Sequence, residues 1–142
     1  MGSINTSRVL LGGLVAGFVM NVGEAALHAG LLGDDTSKLY ADLQVPLPTP
    51  AANIPVLVGA TFLMGIIAVW LYAAIRPRFG AGPKTALIAG FAVWALAHLW
   101  SGFYMANGYA GVFTTRLAWF PVAWGLIEAP LATVVGAILY KE

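Results

Sequence analysis

Cysteine is absent from the 142-residue chain, so no disulfide, thiolate metal centre or thiol nucleophile is available. Charge is almost as scarce. Asp, Glu, Lys and Arg make up 9% of the residues, against about 25% in an ordinary soluble domain. The two signs nearly cancel at a formal +1, and no Lys/Arg stripe is interleaved with aromatics, which leaves nucleic-acid binding nothing to rest on. A phosphate loop is missing too: Gly80-Ala81-Gly82-Pro83-Lys84-Thr85 lacks the GxxxxGK(S/T) spacing and follows no strand. What the chain does have is apolar length, with 60% hydrophobic residues.

Four runs, residues 9–32, 56–75, 86–105 and 117–140, each meet the roughly 20 residues needed to cross a bilayer core of about 30 Å. The composition therefore predicts an all-α, four-helix transmembrane bundle in one domain, with the lipid bilayer as its first partner. Asn21, Glu24 and His28 within the first run, and the absence of an A-x-A cleavage pattern, favour a retained helix over a removed leader. Between the first two runs, the segment from Asp34 to Pro55 holds three aspartates and four prolines and cannot form one continuous helix. Within it, residues 37–44 suit a short interfacial helix, with Leu39, Tyr40 and Leu43 as lipid-facing anchors. The basic stretch from Arg76 to Lys84 is read as a tight hairpin, and Ala106 to Arg116 as a surface turn.

Lys and Arg are retained in cytoplasmic loops. Of the seven, Arg8, Arg76, Arg78, Lys84 and Lys141 fall on one side and Lys38 and Arg116 on the other, which predicts N-in, C-in topology with the proline-rich loop outside.

Ionisable groups within spans cost about 2.5–3.5 kcal/mol each on insertion scales, so they turn towards protein or water. Gly13, Gly17, Asn21, Glu24 and His28 recur at steps of three or four and are expected to share one stripe of the first helix. Gly90, Trp94, His98 and Ser101 form a second stripe, and Gly125, Glu128, Ala132 and Gly136 a third. Counting about 1.5 Å per residue from the cytoplasmic boundary puts Glu24, His98 and Glu128 at one level, with Asn21 and Thr61 near it and His28 about a turn farther out. Pro130 frees the carbonyl of Leu126 next to this layer.

The candidate ligand or proton site is accordingly Glu24, His98 and Glu128, with Asn21 orienting them and His28 gating from the outer side. A structural role, in which these groups satisfy one another and fix helix register, stands beside it. Should a metal be held, Glu24, His28, His98 and Glu128 offer two nitrogen and two oxygen ligands. No serine nucleophile has a convincing base and oxyanion arrangement. Three function classes follow: binding or proton-coupled handling of a small solute, an accessory subunit docking a larger membrane complex or a second copy through small-residue faces, and a metal- or quinone-dependent membrane enzyme.

The run Trp70-Leu71-Tyr72-Ala73-Ala74-Ile75-Arg76-Pro77-Arg78-Phe79-Gly80-Ala81-Gly82-Pro83-Lys84-Thr85-Ala86 resembles a segment of small bacterial membrane proteins with four predicted spans. The resemblance implies a multi-pass protein of the bacterial inner membrane. It brings no activity, cofactor or site residue.

Overall fold

Asn5 starts the first helix, its side chain accepting a hydrogen bond of 3.2 Å from the Arg8 amide, and so satisfies one of the donors a helix start leaves open. The structure, a computed structural model, describes residues 4–141. Helix α1 spans Thr6–Leu31 and is followed directly by the short α2, Gly33–Asp42. Helix α3 spans Pro50–Phe79, α4 Pro83–Gly108 and α5 Thr115–Ala137. Four of these five, all but α2, are long and apolar enough to cross a membrane, and no strand occurs among the described residues.

The helices outrun the expected spans where proline sits. Pro50 and Pro83 occupy first-turn positions, where a missing N–H costs nothing, and α3 continues through Pro55 and Pro77. The basic hairpin thereby shrinks to Gly80, Ala81 and Gly82. Both glycines have positive φ, 86° and 128°, a region that side chains disfavour, and Thr85 Oγ1 closes the turn by donating to Gly80 O at 2.7 Å. At the other connection α2 starts and ends earlier than the expected 37–44. Leu39 packs against Leu27, Leu32 and Leu117 instead of anchoring in lipid.

Close contacts fix the topology. Along α1, Gly13 lies against Ile66 and Gly17 against Phe62, while Asn21 reaches Val58, so α1 and α3 run antiparallel. Gly12 meets Gly136 backbone to backbone and Gly23 lies against Glu128, making α1 and α5 antiparallel. Gly90 abuts Pro130 and Gly102 abuts Val122, which does the same for α4 and α5. The result is an up-down-up-down bundle in which small residues let backbones approach. Pro130 serves here as the surface on which Gly90 packs, and α5 runs helically through both Pro121 and Pro130.

One end of the bundle gathers the termini and the basic turn. Asn5 Nδ2 donates to Lys141 O at 3.2 Å, Tyr72 and Tyr140 stack edge to face at 6.0 Å, and the Arg76 guanidinium lies 5.5 Å from the Tyr140 ring centroid. At the opposite, loop end, Arg116 Nη2 donates to Leu31 O at 3.1 Å and its Nε lies 3.3 Å from Asp35 Oδ2. Tyr104, Tyr109 and Phe113 form an edge-to-face chain there, as aromatic residues at a membrane boundary do.

Candidate functional site

Two of the histidines' neighbourhoods depart from the α-helix. Residues Ala26–Leu31 of α1 and Ala95–Leu99 of α4 are π-helical, and they carry His28 and His98 respectively. The Leu32 amide accordingly donates to Leu27 O, five residues back, at 2.9 Å. A π turn inserts a residue, rotates everything after it and widens the helix, and such turns occur frequently at functional sites. Nothing in a 3.6-residue hydrophobic period announces them.

Glu24 of α1, His98 of α4 and Glu128 of α5 converge towards the loop end, where one donor atom from each lies within 4.8 Å of the other two. His28 does not join this trio. Its Nε2 instead meets Glu24 Oε2 at 3.1 Å from the outer side, where the His28 side chain is 57% exposed and that of Glu24 28%. The deepest member is Glu128, at 8% exposure.

Glycines seat the site. A methyl group built on Gly125, one turn before Glu128 on α5, would run into the His98 ring, so the imidazole lies flush on the α5 backbone. A methyl on Gly23 would overlap Glu128 Oε1, so the carboxylate nests against the backbone of α1 next to Glu24. Gly125 belonged to the expected stripe of α5. Gly23 lies outside the expected stripe of α1, and nothing in the sequence pattern singles it out.

Asn21 lies elsewhere. Its Nδ2 donates to Gly17 O at 2.8 Å and reaches Val58 O at 3.5 Å, so it ties α1 to α3 and makes no hydrogen bond to the trio. Gly13, Gly17 and Asn21 face α3, whereas Gly12, Ala16 and Gly23 lie on the side of α5. Thr61 returns its hydroxyl to Leu57 O at 3.0 Å and Ser101 to His98 O at 3.1 Å, which takes both out of the chemistry.

Within the site two buried polar atoms, Trp124 Nε1 and Glu128 Oε1, have no hydrogen-bond partner of adequate geometry among the described residues. Buried polar groups are nearly always paired, so such atoms mark a place where a ligand, ion or water completes the structure. One imidazole nitrogen and two carboxylates form a donor set that can hold a small cation or pass protons between members. Two clefts of about 260 and 250 Å³ lie away from it, one between Tyr72, Pro83 and Ile138 at the terminal end, the other against Trp100, Phe103 and Tyr104 on α4. No protein-family model, curated protein or solved structure matches the chain.

Proposed function

We propose that this is a multi-pass protein of the bacterial inner membrane, N-in and C-in, that binds a small cationic solute within the bilayer at Glu24, His98 and Glu128. The observation that carries this reading is the convergence of three ionisable side chains from three helices, with donor atoms within 4.8 Å of one another. Two carboxylates side by side in an apolar bundle attract positive charge and repel anions, so the site discriminates by sign before it discriminates by shape. His28, half in the open and bonded to Glu24, is the outer gate: a solute arriving from the loop end meets this pair before it reaches Glu128.

The orientation agrees with the gathering of Arg8, Arg76, Arg78, Lys84 and Lys141 at the end that holds both termini. An accessory role would need small-residue faces turned towards lipid. Here Gly12, Gly13, Gly17, Gly65, Gly90 and Gly136 are consumed inside the bundle, which favours the solute site.

The test is a thermal-shift series on the full chain in mild detergent, with sodium, potassium, guanidinium, methylammonium, manganese and zinc as probes. A ligand at 100 times its dissociation constant stabilises the folded state by about 2.7 kcal/mol. At least one probe is expected to raise the melting temperature of the wild type and to lose that effect in the Glu24→Gln/Glu128→Gln double variant. Identical shifts in the two proteins across the whole series would refute the reading.

A further inference from the structure

We propose that the cation taken by this site is a divalent transition metal of the zinc class, held by Glu24, His98 and Glu128 with a fourth position open to exchange, while His28 braces Glu24 from outside the ligand set. The proposal rests on the reading that the trio binds a cation and names which kind.

Donor chemistry is the first argument. Calcium and magnesium are bound by six or more oxygens, whereas an imidazole nitrogen with two carboxylates suits zinc, manganese, iron or cobalt. Charge balance is the second. Two ionised carboxylates and a neutral imidazole cancel a divalent ion, so that binding releases any proton the pair shares and leaves no net charge in an apolar bundle.

The third is a buried acceptor whose hydrogen bonding is incomplete. Glu128 is more than nine-tenths buried, and its Oε1 has no hydrogen bond of adequate geometry among the described residues although it belongs to the carboxylate that gathers with Glu24 and His98. A coordinated metal supplies what that oxygen lacks. The fourth is the surrounding shell. Ligating carboxylates are themselves hydrogen-bonded in metal sites, and His28 Nε2 stands 3.1 Å from Glu24 Oε2 in that role. Gly23 and Gly125 complete it, because each leaves the space in which a ligand side chain rests.

The number of ligands distinguishes kinds of site. Structural zinc is closed by four protein ligands, whereas three leave a coordination position for water or substrate. Tetrahedral bonds of about 2.0–2.1 Å place ligand atoms about 3.4 Å apart. The present 4.8 Å limit requires side-chain adjustments of about an ångström, within reach of two flexible glutamates.

The experiment uses the full chain in mild detergent, stripped with a chelator and titrated with cobalt, whose visible absorption reports coordination geometry. One tetrahedral or five-coordinate cobalt per chain is expected, displaced by zinc and unaffected by a large excess of magnesium or calcium. His98→Gln and Glu128→Gln should each weaken cobalt binding by about 100-fold or more, and His28→Gln by about 10-fold, the lower end for a partner outside the ligand set.

X-ray absorption at the zinc edge of the wild type is the second measurement, so that a variant that fails to fold leaves the question decidable. It should show a first shell of nitrogen and oxygen with one imidazole. Cobalt affinity indifferent to His98→Gln, a zinc shell without imidazole, or no uptake of either metal would each overturn the assignment. If guanidinium or another non-metal probe still shows stabilisation dependent on Glu24 and Glu128, the metal is wrong and the cation site stands. If no probe does, both fall.

Discussion

At the terminal end α1 meets its neighbours backbone to backbone, whereas at the loop end it meets them through glutamate and histidine side chains. Between Val9 and Met20, Gly12, Gly13, Ala16 and Gly17 are all buried, and Gly65 of α3 fits between Gly13 and Gly17. Beyond Asn21 the helix loosens. Val22, Ala25 and Ala26 are exposed, the π turn follows, and every residue from 41 to 60 across the chain is exposed. Close packing without polar groups makes the terminal half a clamp. The loop half accepts π geometry, the buried Glu128 and the partly buried Glu24, which cost stability, and such costs concentrate where a protein binds or reacts. If the proposed site is right, the two halves of one helix separate folding from binding, and substitutions should separate along the same line.

The largest effect is expected from Gly65→Leu. A side chain there meets the backbone at Gly13 and Gly17, which cannot move aside as a flexible side chain can. Overpacking of this kind costs about 3 kcal/mol, to be read from reversible unfolding of the detergent-solubilised chain. Cation-dependent stabilisation should persist in whatever fraction stays folded, since the altered contact lies some 10 Å or more along α1 from Glu24. A variant as stable as the wild type would show that the glycine clamp does not hold the bundle.

Gly23→Ala should act the other way round. The added methyl displaces only the far end of Glu128, a flexible group, while alanine is the better helix former by up to about 1 kcal/mol. Stability is expected to stay level or rise and cation affinity to fall about 10-fold, equivalent to about 1.4 kcal/mol. Loss of stability without loss of affinity would mean that the nest matters for packing and not for the site.

How much of this was legible without coordinates follows from which physics each feature obeys. Span number and approximate position depend on summed hydropathy: α3 and α4 contain the expected runs 56–75 and 86–105, while α1 and α5 match 9–32 and 117–140 except at their last residues, ending at Leu31 and Ala137. The common level of Glu24, His98 and Glu128 follows from a rise per residue, and it survived. The place of Asn21 did not. It stands at one edge of a stripe about 80° wide and reaches Val58 of α3. The π turns at His28 and His98 were illegible because they are set by packing and carry no residue signature. The extension of α3 through Pro55 and Pro77 was missed because a single lost hydrogen bond was given the weight of a helix end.

The smallest expected effect tests that correction. Asn21→Ala removes the 3.5 Å reach to Val58 O between α1 and α3 and the 2.8 Å bond to Gly17 O within α1. Interhelical hydrogen bonds in membrane proteins average about 0.6 kcal/mol, and the bond back to Gly17 competes with the helix ladder and contributes little beyond it. A loss near 0.6 kcal/mol is therefore expected, with cobalt affinity unchanged. Had Asn21 oriented Glu24, as the simple stripe implies, the same substitution would weaken the metal about 10-fold, the effect of removing a group that positions a ligand. Measuring unfolding and cobalt binding on this one variant distinguishes the two arrangements. A fall in affinity would return Asn21 to the site.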